Sequence, residues 1–172
     1  KISAETAAAV QEAVNKIKSG DRVVIGHAVG EPLVVVEAMV QNKDKYENVE
    51  IVHMVPMGKG EYLQTGMEKH FRHNAVFVGA PTRAAVAEGR ADYTPCFFYE
   101  VPKLFKNSLP VDVALVTLSK PDENGYCSLG TSVDYTKQAI KSAKITIAQV
   151  NEEMPYTLGD SRVHISEVDY IV

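Results

Sequence analysis

Short apolar runs alternate along this chain with segments in which apolar residues recur at helical spacing. The apolar runs have the length of buried strands and cover residues 22–25, 49–54, 75–79, 111–118 and 145–150. The helical patterns lie between them, from Ser3 to Gly20 and over residues 32–41, 82–88, 101–106 and 131–143. Strands that alternate with helices predict βαβ units. We therefore expect an α/β domain with an open, mostly parallel sheet flanked by helices.

Local signals at the ends of these segments refine the prediction. Ser3 can cap the first helix, and Thr131-x-x-Asp134 matches a capping box that would start a helix at residue 131. Residues 163–172 look like a strand that begins to leave the domain. With no internal repeat and no low-complexity linker, residues 1–172 are expected to form a single domain.

Composition excludes several classes of protein. The net charge of −4 gives no basic footprint for nucleic acid. No apolar run approaches the roughly 20 residues that span a bilayer, and the N-terminus has no signal-peptide pattern. Cys96 and Cys127 do not form a metal-spaced set or a disulfide framework. We expect a cytoplasmic protein without a metal, a tightly bound cofactor or a membrane partner.

The loop after the first strand, residues 26–30, leads into a helix N-terminus. Free N–H groups at such a position attract anions such as carboxylate or phosphate. His27 could donate a hydrogen bond to a bound carboxylate, or it could satisfy the backbone of its own loop. The loop lacks the GxGxxG pattern, so a dinucleotide cofactor is disfavoured.

The loop after the second strand carries methionines and glycines. Met54 and Met57 could wall an aliphatic ligand because thioethers are adaptable, although methionines beside strands are more often core. The remaining histidines of this region have no zinc spacing and are expected at the surface; they are His53, His70 and His73.

The third loop, residues 119–130, follows the longest apolar run. It contains Glu123 in a Glu-Asn-Gly setting, which raises the question of a nucleophilic carboxylate. Pro121, Asp122, Asn124 and Gly125 are turn residues for backbone reasons alone, so composition favours a structural turn.

Several spaced motifs together resemble the N-terminal domain of the acetyl-CoA hydrolase/transferase family, especially its 4-hydroxybutyrate and butyrate–acetate CoA-transferases. The resemblance covers essentially the whole chain. The motifs are SGDRV at 19–23, GHAVGEP at 26–32, FVG at 77–79, TR at 82–83, GRADYTP at 89–95, PD at 121–122, GYCSLG at 125–130 and SEVDYIV at 166–172.

This resemblance implies a two-domain enzyme with its active site between the halves. The enzyme would move coenzyme A, as a substrate, from an acyl-CoA to a carboxylate through a glutamyl-CoA thioester. In the family the nucleophilic glutamate lies in the C-terminal half, which this chain lacks. Glu123 resembles the Ser-Glu-Asn-Gly nucleophile of related 3-oxoacid CoA-transferases, but Asp122 replaces the serine, so Glu123 is expected to be a bystander.

The resemblance also suggests what this half contributes. His27, Ala28 and Gly30 would line the site for the acyl or acceptor carboxylate, and Met54 and Met57 would wall the aliphatic tail. Partners would be acyl-CoA, small carboxylates, the protein's own C-terminal domain and a second copy in a homodimer. Arg83 would carry a structural ion pair or touch an anionic group, the former being favoured.

Three alternatives stay open at this point. The first is an acyl-CoA hydrolase of the same family. The second is a sugar-phosphate isomerase or phosphosugar-binding regulatory domain, for which Gly58-Lys59-Gly60 would be a faint phosphate cradle. The third is a binding or scaffolding domain without catalysis.

Overall fold

The structure is a computed structural model that describes residues 2–172. Its strands are β1 (Arg22–Ile25), β2 (Val49–Val52), β3 (Phe71–Ala75), β4 (Ala91–Tyr93), β5 (Val113–Leu118), β6 (Tyr126–Ser128), β7 (Ile145–Val150), β8 (Arg162–His164) and β9 (Tyr170–Ile171). Its helices are α1 (Ala4–Val14), α2 (Leu33–Gln41), α3 (Arg83–Ala87), α4 (Val101–Lys106) and α5 (Thr136–Ser142).

Seven strands form one parallel sheet in the order β4-β3-β2-β1-β5-β7-β9. The chain moves outward from β1 to β4, returns to the other side of β1 at β5, and continues to β9. This confirms the α/β class and the parallel sheet. β6 and β8 form a separate antiparallel pair beside it.

Helices cover both faces of the sheet. One core cluster contains residues of α1, α2 and α3, and the other contains residues of α4 and α5. β5 is buried along its whole length because it lies between both layers. Parallel sheets covered on both faces have such uniformly apolar strands, which is why this strand was readable from sequence. No helix among residues 2–172 has the length and apolar character needed to cross a membrane.

The predicted start of the fifth helix is wrong. α5 begins at Thr136 rather than at residue 131, and the residues before it form turns. Gly130, just before the predicted start, takes a left-handed conformation with φ of 63°. Asp134 does not complete a capping box; its carboxylate accepts the Thr136 N–H and also bonds His27.

Two predictions at other strands are also wrong. The strand predicted at 75–79 runs over Phe71–Ala75, because its polar residues find partners: Arg72 pairs with Asp92, and Asn74 bonds Glu50. The C-terminal stretch does not leave the domain. β9 pairs with β7 as the seventh strand.

The prediction that His53 and His73 lie at the surface is wrong. Both are buried, at 0% and 1% exposure, and pack around the equally buried Tyr62. His53 Nδ1 lies 2.7 Å from the Tyr62 hydroxyl. Burial lowers the pKa of His53 to about 3 and that of His73 to about 4, since a dry environment disfavours the charged imidazolium. His70, in contrast, is half-buried and bonds the Tyr46 carbonyl.

These histidines should make the stability of the fold depend on pH. An unfolded histidine titrates at about pH 6.5, so below that pH the unfolded chain binds protons that the folded chain excludes. The free energy of unfolding should therefore be highest above about pH 6.5 and should fall as the pH drops toward 4. At pH 5 the loss should be about 2 kcal/mol per histidine. Urea denaturation between pH 4 and 7 measures this slope.

His73→Leu should flatten the slope by about half, whatever it does to stability at neutral pH. The matched control is His164→Gln, because His164 bonds Ser166 near the surface and should leave the slope unchanged. An unaltered slope in the His73 variant would contradict the assignment.

Candidate functional site

The carboxyl ends of the parallel strands meet at one edge of the sheet, where their loops enclose a cavity of about 320 Å³. In open α/β sheets, ligands bind at this edge and close to the point where the strand order reverses. The cavity lies over the ends of β1, β2 and β3 and beside the segment after β4. Its walls include His27, Met54, Val55, Val76, Phe77 and Phe98.

His27 lines this cavity, and Asp134 holds its ring. His27 Nδ1 lies 2.9 Å from Asp134 Oδ2, and both side chains are mostly buried. A carboxylate has no proton to give, so Nδ1–H is the donor and Nε2 is the nitrogen left for a ligand. The alternative that His27 merely satisfies its own loop is therefore not what the structure shows.

Two aromatic rings fix the plane of the His27 imidazole. Tyr135 stacks against it with centroids 5.6 Å apart, and Phe98 meets it edge-to-face at 5.5 Å. The Tyr135 hydroxyl donates to the Ile25 carbonyl at 2.8 Å and accepts the Met54 N–H at 3.4 Å. Burial raises the pKa of Tyr135 above its ordinary value, so the hydroxyl stays protonated and remains a donor.

Glu31 is a residue of this region that the sequence analysis quoted only inside a motif. It is 5% exposed, and its Oε2 accepts the backbone N–H groups of Met57 at 2.7 Å and Gly58 at 2.8 Å. A Cβ on Gly58 would lie 2.9 Å from Glu31 Oε1, so a larger residue there would require the carboxylate to shift. A buried carboxylate that receives two N–H donors anchors the loop after β2 to the start of α2.

The other predicted site residues divide between the cavity and its surroundings. Met54 is buried and lines the cavity, whereas Met57 is 61% exposed on the anchored loop and does not line it. Ala28 and Gly30 form a short 3-10 helix next to His27. Ala28 has a positive φ of 49°, and a Cβ on Gly30 would lie 2.7 Å from Ser132 Cβ. Both shape the backbone that carries His27.

Glu123 lies exposed in a turn and is not part of the cavity wall. Asp122 builds that turn by accepting the N–H groups of Asn124 and Tyr126 at 2.9 Å each. The segment around Glu123 is therefore a structural turn, as the composition of this loop predicts. Arg83 is exposed at the first position of α3 and makes no ion pair within residues 2–172. In the same range, no group of three acidic, histidine or cysteine side chains could hold a metal ion.

In a comparison with known proteins, residues 4–172 of the chain match the family model of the acetyl-CoA hydrolase/transferase N-terminal domain. The chain is 64% identical over 163 residues to 4-hydroxybutyrate coenzyme A transferase of Clostridium kluyveri, covering 94% of this chain and 38% of that protein. It is 40% identical to succinyl-CoA:cyclohexane-1-carboxylate CoA transferase of Geobacter metallireducens, covering 94% and 37%. The chain thus spans under two fifths of the length of these relatives.

Solved structures agree with this match. A crystal structure of 4-hydroxybutyrate CoA-transferase from Porphyromonas gingivalis is 36% identical, with a TM-score of 0.70, over 95% of this chain and 38% of that one. RipA from Yersinia pestis superposes with a TM-score of 0.86 at 28% identity, over 94% and 40%. The family resemblance seen in the sequence motifs is confirmed.

Glu31 should control the order of the loop after β2. A hydrogen bond to a charged group contributes about 1.5–3 kcal/mol, so Glu31→Ala should speed amide exchange at Met57 and Gly58 by about tenfold or more. Hydrogen–deuterium exchange of peptides over residues 54–60 measures the effect. Glu37→Ala is the matched control, because Glu37 is exposed and its carboxylate makes only a loose ion pair with Lys59, at 3.9 Å. Equal exchange in both variants would contradict the anchoring role.

Proposed function

Because this chain belongs to the acetyl-CoA hydrolase/transferase family, we propose that it is the N-terminal half of a two-domain CoA-transferase. The enzyme would exchange coenzyme A between a short-chain acyl-CoA and a carboxylate such as acetate. The 4-hydroxybutyryl, butyryl and acetyl thioesters are the candidate donors, the first in keeping with the name of the Clostridium kluyveri relative. The observation that carries the proposal is an apolar cavity whose walls include one oriented imidazole, His27.

The proposed reaction passes through carboxylate chemistry on a glutamate outside this chain. The glutamate attacks the thioester carbonyl, the C–S bond breaks, and CoA leaves as the thiolate. The thiolate then attacks the glutamyl carbonyl of the acyl-glutamyl anhydride, which releases the first carboxylate and leaves a glutamyl-CoA thioester. The acceptor carboxylate reverses these two steps to form the new acyl-CoA and the free glutamate. A covalent intermediate of this kind divides a difficult transfer into easier steps.

This half would hold the acyl group during the exchange. Met54, Val76 and Phe77 offer an apolar wall for a short aliphatic tail, as ligand cavities commonly do. With Nδ1–H committed to Asp134, Nε2 is the ring nitrogen of His27 that is left to contact a substrate. The His27–Asp134 pair would then orient the carboxylate end of each substrate.

Exposed apolar side chains at the carboxyl edge support the presence of a covering domain. Large side chains on the loops after β1 to β4 are at least half-exposed; they are Val29, Met57, Phe77, Phe97, Phe98 and Tyr99. A C-terminal half seated on this edge would bury them and close the cavity. Exclusion of water is what lets the thioester energy pass to the second carboxylate rather than be lost to hydrolysis.

The phosphosugar alternative lacks support at the residues that would carry it. The Gly58 N–H is already bonded to the Glu31 carboxylate, so it cannot donate to a phosphate. Lys59 is 75% exposed and lies between Glu37 and Glu61, which adds negative charge to the proposed cradle. The relatives described above are named CoA transferases, which favours transfer over the hydrolase and the non-catalytic alternatives.

The full-length protein should exchange CoA rather than hydrolyse it. With butyryl-CoA and acetate, acetyl-CoA and butyrate should form in equal amounts. With butyryl-CoA alone, free CoA should accumulate far more slowly, and the protein mass should rise by one covalently bound CoA. Chromatography of the acyl-CoAs and mass spectrometry of the protein provide these measurements. Rapid release of CoA without an acceptor would favour the hydrolase.

The family resemblance also implies a homodimer. Light scattering of the same sample measures its molar mass and tests this expectation.

His27 should affect turnover more than folding. His27→Ala in the full-length protein should lower kcat/KM by about 10–100-fold, with a small change in melting temperature because the ring is at the cavity wall. Asp134→Asn should lower it less and should alter the pH profile, because the amide can bond either tautomer of His27. Asp160→Asn is the control, since Asp160 pairs with Lys137 at the surface. Unchanged kinetics for both substrates would remove His27 from the site.

A further inference from the structure

A second cavity lies directly beside the one that contains His27. It has a volume of about 270 Å³, and its walls include Tyr99, Pro102, Asp134 and Tyr135. It is lined mostly by apolar surface, as the first cavity is. Within residues 2–172, Phe98 is the side chain that lines both cavities. The Phe98 ring, which contacts His27 edge-to-face, is therefore the wall that the two cavities share.

The backbone under Phe98 is fixed rather than loose. Phe98 begins a short 3-10 helix, Phe98–Glu100. The Phe97 N–H donates a hydrogen bond to the Glu100 carboxylate at 3.0 Å, which closes the first turn. The Glu100 N–H returns to the Phe97 carbonyl at 2.9 Å. The ring of Phe98 contacts the His27 ring edge-to-face, with centroids 5.5 Å apart. Because hydrogen bonds fix the backbone of Phe98 and His27 contacts its ring, the ring can form a wall with a defined position.

The neighbouring aromatic residue differs in all these respects. Phe97 is 70% exposed and lines neither cavity. Its ring stacks instead on Tyr99, with centroids 5.8 Å apart. Phe97 and Phe98 are thus adjacent in sequence and chemically identical, but only Phe98 separates the two cavities. The chain offers a matched pair for a substitution experiment.

We propose that Phe98 determines the acyl chain length that the enzyme accepts, by dividing one long apolar channel into two short cavities. The inference rests on the proposed CoA transfer, and it names the residue that restricts the tail. A short acyl group fits against Met54 and Val76 on the His27 side of the ring. Two or more further methylenes need the space beyond it. Removal of the ring joins the cavities and provides this space.

The test measures kcat/KM of the full-length protein for acetyl-, butyryl- and hexanoyl-CoA with one common acceptor carboxylate. Each methylene that gains an apolar contact changes discrimination by about tenfold or more. Phe98→Ala should therefore raise the hexanoyl-to-butyryl ratio by about tenfold or more. Phe98→Leu should give an intermediate ratio, and Phe98→Trp should shift preference toward acetyl-CoA.

Phe97→Ala serves as the matched control and should leave all three ratios unchanged. Phe98 is half-exposed, so its variants should keep the parent melting temperature within a few degrees; this check separates a change in specificity from a loss of fold. Active Phe98 variants with the parent chain-length profile would overturn this inference while leaving the proposed function intact. A parent protein that transfers no CoA from any thioester would overturn both.

Discussion

The hydroxyl of Tyr135 joins the parts of this molecule on which the site depends. It donates to the carbonyl at the end of β1 and accepts the N–H of Met54 just after β2, so it links two central strand ends. Its ring supports His27 on one side and meets Phe105 of α4 on the other. Because a buried hydroxyl without partners would be strongly unfavourable, these bonds fix Tyr135 in one place. The imidazole of His27 takes its position from that ring.

The fully parallel sheet makes this arrangement possible. Parallel strands direct their carboxyl ends to one edge, so loops that are far apart in sequence meet there. His27 and Asp134 are separated by 107 residues and still share a 2.9 Å hydrogen bond. Glu31 then ties the loop after β2 to the start of α2. Two loops of this edge are therefore held by hydrogen bonds to buried or mostly buried carboxylates, while large apolar side chains on the same edge are exposed.

Sequence patterns predicted the elements whose neighbours are all apolar. β5 is uniformly buried, β1 is mostly buried and β7 is buried over half of its length, and their positions follow from the run of apolar residues alone. β3 was misplaced because Arg72, His73 and Asn74 look like loop residues. Their polar atoms are satisfied by Asp92 and Glu50 or are enclosed by Tyr62, and only tertiary contacts supply such partners. The start of α5 was misplaced for a related reason, since Asp134 bonds His27 instead of completing its own capping box.

The sequence by itself determined the α/β class, the family and the place of His27 directly after a strand, because period, motif order and position along the chain are local properties. It also favoured a structural turn at Glu123, since turn chemistry resides in neighbouring residues. Tertiary structure alone decided which side chains meet at the sheet edge. The Asp134 partner, the Glu31 anchor, the burial of His53 and the division of the cavity by Phe98 all depend on contacts between distant segments. Such contacts follow from the packing of the whole sheet and leave no periodic trace in the sequence.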